Sequence, residues 1–471
     1  RGSVLIDGER ILAVGPVAEV RATADAASRS GSGGDTRSVT TLDARQCLIL
    51  PGFVNPHWHE GLARRAQALG MPLSDHADPV SPFARGGDIH ALSQNFDALY
   101  SWHEKMTPQE SEAFARYALW AQLRSGTTTV GDVGSVAWPE ALVGAARTVG
   151  LRAALSVWAS DALCLPGETA FTRTRDADAV LARIEEQLLA CGADGTGRIR
   201  GMPSAVYTAN LSDELAEGIV ALALRHDTPV ATHLGALPNE SGVVREYFGR
   251  TPVRRFAELG LLTDRLIAVH CAYADLEEWA MLRGARVHIS HSPAKYGLSG
   301  ESTISGSRMI VESWRAGQRV SLSTDGEAQQ IGGMPEAMRQ AWLGHNEIWA
   351  DNTAVRPSDA LLMATRFAAD GLRWSDQIGS LEPGKLADLV LIDTDDWRYT
   401  LCARPLEIFL KVGGSADVDT VIVGGEVLVR GGRPTRFEEE QVTADFVTAA
   451  YALAKRQGWP VDRPSGARTH A

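Results

Sequence analysis

Pro51-Gly52-Phe53-Val54-Asn55-Pro56-His57-Trp58-His59 follows directly on the apolar run Cys47-Leu48-Ile49-Leu50. Side chains alternate faces along a strand, so histidines spaced i, i+2 aim both imidazoles the same way from its end. Two neutral ring nitrogens presented together are what one metal ion takes. A single His-x-His is common without a metal, so the reading turns on what else the chain offers.

Three more runs end in the same manner. Pro229-Val230-Ala231-Thr232 leads to His233, Leu266-Ile267-Ala268-Val269 to His270, and Arg319-Val320-Ser321-Leu322-Ser323-Thr324 to Asp325-Gly326. Apolar, β-branched runs separated by helix-length amphipathic segments read as buried parallel strands in β/α units. In a (β/α)8 barrel the C-terminal ends of the strands share one face, and that rule gathers His57 through Asp325 into one cluster. Each residue alone could be a buried polar group satisfied by backbone. All of them in the same strand position fit that account poorly.

Composition bounds the rest. A chain of 471 residues suits one large barrel and a small accessory domain. Hydrophobic residues make up 44% and charged ones 22%, and no apolar run approaches the roughly 20 residues that span a bilayer, so no membrane segment is expected. The net charge of −12 and the lack of Lys/Arg clusters argue against a nucleic-acid polymer as partner. Five scattered cysteines (Cys47, Cys164, Cys191, Cys271, Cys402) without Cys-x-x-Cys indicate neither a disulfide framework nor a thiolate metal site, and fit a reducing cytoplasm. The chain opens on Arg1 rather than Met, which leaves open residues upstream.

Val4-Leu5-Ile6-Asp7-Gly8-Glu9-Arg10-Ile11-Leu12-Ala13-Val14 reads as a hairpin turning at Asp7-Gly8, and Val421 to Val429 as another around Gly424-Gly425. Both are expected in one β-sandwich made of 1–48 and 379–435, flanking a barrel over 49–378, with a C-terminal helix and tail over 436–471. Thr107-Pro108-Gln109-Glu110 is a capping box opening a helix that Ser125-Gly126 closes, and Ser212-Asp213 and Ser358-Asp359 start two more. Ala26 to Asp35, small and Gly-rich, reads as a mobile loop; Gly61 to His103 reads as a long loop forming a lid or pocket wall. Within it His76, His90 and His103 share no common face and are expected to be structural or solvated.

The order His57-x-His59, His233, His270, Asp325, together with Gly126-Thr127-Thr128-Thr129 and the closing Gly379-Ser380-Leu381-Glu382-Pro383-Gly384-Lys385-Leu386-Ala387-Asp388-Leu389-Val390, resembles the metal-dependent amidohydrolase superfamily in its branch of heterocycle deaminases and chlorohydrolases. The resemblance runs from about Val4 to about Arg433. It implies a distorted (β/α)8 barrel with a sandwich built from both chain ends. It also implies one divalent metal held by His57, His59, His233 and Asp325, with His270 acting on the substrate from just outside the metal's ligands, and a homodimer is expected.

Three imidazoles and a carboxylate suit Zn2+ first, with Fe2+ or Mn2+ also admissible. Coordination lowers the pKa of a bound water from about 15.7 to near 7, supplying hydroxide at neutral pH. Asp325 is then the candidate base, and His270 the donor to the attacking oxygen, a role worth roughly 3 kcal/mol. Such a site adds water to a ring carbon and expels an amine, halide or ring nitrogen. The expected function is a metal-dependent hydrolase of a C–N or C–halogen bond in a small heterocycle, foremost a deaminase. A cyclic amide or amidine hydrolase is the alternative. A catalytically silent scaffold would have no need to keep all four ligands.

Two departures from the family pattern bear on substrate. Many relatives carry a Glu three residues after the histidine of strand five, where this chain has Ala236, and Glu240 becomes the substitute candidate acid against a structural role. Ser204 stands where many relatives place a substrate-binding His, which argues against the usual adenosine-type or guanine-type substrates. Trp58, Ser204, His291, Lys295 and Tyr296 are the candidate substrate contacts. Lys295 in particular is read as a clamp for an acidic substituent, with Tyr296 stacking on or hydrogen-bonding the ring.

Overall fold

The computed structural model describes residues 2–29, 39–60, 87–135, 138–299, 302–326 and 332–458. The chain opens with the hairpin β1 (Gly2–Asp7) and β2 (Arg10–Pro16), in which Asp7 pairs Arg10 and Gly8 takes the left-handed φ of 58° that the tight turn requires. It then runs through β3 (Cys47–Pro51), β4 (Phe53–Trp58), β5 (Thr127–Asp132) and β6 (Arg152–Leu155). A short antiparallel pair, β7 (Ala162–Leu163) and β8 (Thr172–Arg173), precedes β9 (Ile199–Gly201), β10 (Ser204–Tyr207), β11 (Val230–Leu234), β12 (Leu266–His270), β13 (His288–His291) and β14 (Arg319–Leu322). The last strands are β15 (Leu389–Asp393), β16 (Val418–Val423), β17 (Glu426–Arg430) and β18 (Arg433–Pro434).

Two parallel sheets dominate, β4-β5-β6-β9 and β10-β11-β12-β13-β14, with helices between successive strands. Their strands are buried apart from Arg200, Gly201 and Arg319, which are half-buried, as expected where both faces are covered. The sheets hand over to each other at Met202-Pro203. Met202 N–H still bonds Leu155 C=O on one side, while Pro203 C=O already accepts Ala231 N–H on the other. They meet again where Asp325 N–H bonds His57 C=O at 3.2 Å, beside an Asn55 side chain that gives to Thr324 Oγ1 and accepts Thr324 N–H. One apolar cluster takes Val54, Ala154, Ala231 and Ile267 from four strands and is closed by Leu372 and Trp374.

β18-β17-β16-β15-β3 form an antiparallel sheet joining residues from both chain ends. The β1-β2 hairpin lies against it: Ile11 packs with Leu389, Leu391 and Ile422, and Arg10 bridges Leu386. The second expected hairpin forms at Val423↔Glu426 across Gly424-Gly425. Helix Pro108–Arg124 carries its expected capping box, Thr107 Oγ1 accepting Glu110 N–H and Glu110 accepting Thr107 N–H. The C-terminal helix Glu439–Arg456 docks on it through Phe446 against Tyr117 and Arg456 on Glu110.

Two loop expectations need correction. Ala26 to Arg29 belong to helix Val17–Arg29, whose alanines favour helix over loop. Ile89–His103 is likewise a helix rather than part of a long loop, its Ile89, Leu92 and Phe96 recurring at helical spacing on one buried face. Residues 30–35 and 61–86 of these segments, His76 included, lie outside the described residues. No helix among those described is long and apolar enough to cross a membrane.

Candidate metal centre

Four side chains converge at the C-terminal ends of the parallel strands. His57 closes on the site from within β4 and His59 from just past it, His233 from β11, and Asp325 from three residues beyond β14. One ligand atom from each lies within 4.8 Å of the others. His57 Nε2 is 3.0 Å from His59 Nε2 and 3.1 Å from His233 Nε2, and Asp325 Oδ1 is 3.8 Å from both His57 Nε2 and His59 Nε2.

The opposite ring nitrogens are engaged elsewhere. His59 Nδ1 faces Gly134 C=O at 3.0 Å, His233 Nδ1 faces Val206 C=O, and His57 Nδ1 faces the Ser292 hydroxyl at 3.4 Å. A carbonyl can only accept, so the protons of His59 and His233 sit on Nδ1 and their Nε2 lone pairs point inward. Burial keeps the rings of His57 and His59 neutral: it pushes His59 down to about 3 and His57 well below its ordinary value. Bare lone pairs about 3 Å apart beside a carboxylate repel one another unless a cation lies among them. The donor set therefore fits a divalent ion of zinc type.

Part of the backbone strain lies here. His270 (φ 73°), Cys271 (φ 53°) and Asp325 (φ 57°) hold left-handed conformations without being glycine. His270 Nε2 lies 3.6 Å from Asp325 Oδ2. Lys295, almost wholly buried, places Nζ 2.8 Å from that same oxygen. Burial works against ionisation of Asp325; Lys295 and the imidazoles outweigh it and hold the carboxyl well below its ordinary range.

The remaining sequence candidates divide. Tyr296 reaches the site's edge, its hydroxyl 3.4 Å from His270 Nδ1 and 3.1 Å from His291 Nδ1. Trp58 alternates to the other face of β4 and packs in the main core with Phe53 and Leu322. Ser204 lies three residues short of the end of β10, bonded to the Ser156 hydroxyl at 2.6 Å. Glu240 is fully buried at the start of helix Glu240–Phe248, its oxygens accepting Thr208 Oγ1 (2.7 Å), Gly235 N–H (3.0 Å) and Ala236 N–H (2.8 Å). Burial pushes its carboxyl up, against those bonds. His90 faces Cys164 C=O and His103 stacks edge-on to Trp158, away from the cluster.

Sequence reasoning passed over Tyr207, which stacks on His233 at 5.4 Å and 8°, with Phe96 beside both rings. The strand-end rule that found His233 points to Tyr207 equally. It also passed over His345, on helix Gly333–Trp349, where no strand end or motif marks it.

The chain matches the Amidohydrolase family over residues 48–428. It is 29% identical, over 97% of its length and 95% of the other's, to a 5-methylthioadenosine/S-adenosylhomocysteine deaminase of Pelotomaculum thermopropionicum. It is 30% identical, over 96% of its length and 95% of the other's, to a 5'-deoxyadenosine deaminase of Methanothermobacter thermautotrophicus. Among solved structures, a mutant atrazine chlorohydrolase of Arthrobacter aurescens complexed with zinc and atraton superposes with a TM-score of 0.76 at 26% identity, covering 95% of this chain and 94% of that one. Fold and site thus define a metal-dependent hydrolase of carbon–nitrogen bonds other than peptide bonds. The chain belongs to the amidohydrolase family.

Proposed function

We propose that this protein is a zinc-type deaminase displacing the amino group of a small nitrogen heterocycle. The parallel sheets, joined at Met202-Pro203 and at Asn55–Thr324, act as a distorted (β/α)8 barrel, and the β1-β2 hairpin with the five-stranded sheet as a sandwich drawn from both chain ends. The observation that carries the function is the convergence of His57, His59, His233 and Asp325 within 4.8 Å beside His270.

A bound divalent ion would supply Lewis acidity and make water a competent nucleophile at neutral pH. Asp325 takes up the proton of the attacking water. His270 donates a hydrogen bond to the charge that develops as the ring carbon becomes tetrahedral. Lys295 holds Asp325 Oδ2 and so leaves Oδ1 for the site. Tyr207 and Phe96 wall the His233 side with aromatic rings, a surface suited to a flat heterocycle. Glu240, with its oxygens spent on Thr208, Gly235 and Ala236, positions the turn after β11 rather than donating a proton. The adenosine-derivative deaminases among the relatives support an aminopurine-like ring, against the expectation drawn from Ser204, whose hydroxyl is bonded to that of Ser156.

One observation favours a second reading, hydrolytic dehalogenation. Halide leaves without a proton, and Ala236, fully buried, offers no acid where many relatives have Glu. Metal analysis followed by a screen of amino- and halo-substituted heterocycles separates the two. Ammonia release from an aminated ring, dependent on stoichiometric metal, is expected. Halide release without ammonia selects the second reading, and neither product from the metal-loaded protein overturns both.

A further inference from the structure

From the edge of the metal centre a line of buried groups runs into the helical layer. His270 Nδ1 is 3.4 Å from Tyr296 Oη, Tyr296 Oη is 3.1 Å from His291 Nδ1, and His291 Nε2 is 2.9 Å from His345 Nε2. None of the four is more than 3% exposed. Three belong to different segments, β12, β13 and helix Gly333–Trp349, while Tyr296 sits in the short helix Pro293–Ser299. Packing of the barrel alone calls for no polar chain here.

We infer that Tyr296, His291 and His345 are positioning residues that fix which nitrogen of His270 carries its proton. A neutral imidazole has one N–H and one lone pair. Burial keeps both outer rings neutral, lowering His291 well below its ordinary value and His345 to about 4. Two facing Nε2 atoms then need one donor and one acceptor, and that choice propagates along the chain.

If His345 donates from Nε2, His291 accepts there and carries its proton on Nδ1. It gives that proton to Tyr296 Oη, which also accepts Ser292 N–H at 3.3 Å. The hydroxyl hydrogen then points at His270 Nδ1. His270 is left with its proton on Nε2, the atom on the Asp325 side of the ring. The opposite polarity would put the His345 proton on Nδ1, for which the described residues offer no acceptor. Buried N–H groups without partners are rarer than under-used acceptors, so the first polarity is the one the structure supports. It delivers an N–H toward developing negative charge; the reverse would present a lone pair there.

The inference rests on the proposed reading of His270 as the donor at the site. The test is 15N NMR of the metal-loaded protein labelled at histidine, with the His270 signals assigned by their loss in His270→Asn. The native protein should show His270 protonated on Nε2. Tyr296→Phe should give a mixture of tautomers and about a tenfold fall in kcat, with KM within about twofold and metal content unchanged. His345→Leu should move both readouts the same way by less. His345→Gln, whose amide N–H can replace the lost donor, should restore most of both. A native His270 protonated on Nδ1, or a tautomer unmoved by both Tyr296→Phe and His345→Leu, overturns the inference. Full turnover in His270→Asn overturns the donor role beneath it, and the tautomer signal tells that failure from the other.

Discussion

At the C-terminal ends of the parallel strands, His57, His59, His233 and Asp325 turn their ligand atoms toward one another within 4.8 Å. Near the other end, Arg152 at the start of β6 closes a two-bond fork on Asp388, Nε to Oδ2 at 2.6 Å and Nη2 to Oδ1 at 3.1 Å, and Gly424 N–H adds a third bond at 2.7 Å. Both groups are buried. In the fork each charge meets its opposite and both Asp388 oxygens accept bonds, which locks β6 of the parallel sheet to the antiparallel sheet of β15 and β16. In the cluster, acceptors meet acceptors. A buried polar group that finishes its own bonding is architecture; one that leaves lone pairs facing each other is waiting for a ligand. The backbone agrees. Asp227 and Arg286 take left-handed φ just past helix ends, where that conformation is routine, whereas His270 and Asp325 take it at or beyond strand ends.

The largest effect should come from emptying the cluster of a ligand. Asp325→Ala and His57→Ala should lose both the bound ion, about one per chain in the native protein, and all measurable turnover. Elemental analysis checks this, and stoichiometric metal in folded Asp325→Ala would break the contrast at its functional end. At the other end, Arg152→Met should leave Asp388 as an uncompensated buried charge and cost about 3–5 kcal/mol of stability. Denaturant unfolding measures the loss. Metal content and kcat per folded molecule should stay at native values, and a specific loss of metal would show that the two regions are not independent.

The same contrast explains how far the sequence could be read. Strand-end polar residues gave the site's position and four of its members, because alternation along a strand and the shared face of parallel strands are local rules that a motif displays. The capping box at Thr107 and the turn at Gly8 were legible for the same reason. The partners of Lys295 and Glu240 were not. Lys295 faces Asp325 from 30 positions earlier in the chain, and Glu240 folds back on its own turn; both depend on the direction of a short segment rather than on spacing. Helix Ile89–His103 was hidden by histidines and polar residues that masked its apolar face.

Lys295 sharpens the comparison, since it brings one charge pair of the architectural kind into the functional end. As a clamp for an acidic substrate, Lys295→Met would raise KM about tenfold for an anionic analogue and little for a neutral one. With Lys295 Nζ 2.8 Å from Asp325 Oδ2, the expected outcome is different. kcat should fall about tenfold or more for charged and neutral analogues alike, because Asp325 loses the contact that orients it. Removing a cation from beside the site should also make the ion harder, not easier, to strip with a chelator. A KM effect confined to anionic analogues would restore the clamp.

Glu240 carries the smallest expected effect and the finest distinction. A general acid replaced by its amide loses about 10²-fold or more in kcat. Glu240 instead accepts Thr208 Oγ1 and two successive backbone N–H groups, of Gly235 and Ala236, with a different oxygen for each of the two amides. Glu240→Gln turns one of those oxygens into an NH2 that faces a backbone donor, so a bond is lost and a donor is left buried, at about 1–3 kcal/mol of stability. Turnover should stay within about threefold and metal content should not change. The turn after β11 that carries His233 would then be held by Glu240 as Asp388 is held by Arg152, through completed bonds, and a hundredfold fall in kcat at native stability would move Glu240 to the other side of the comparison.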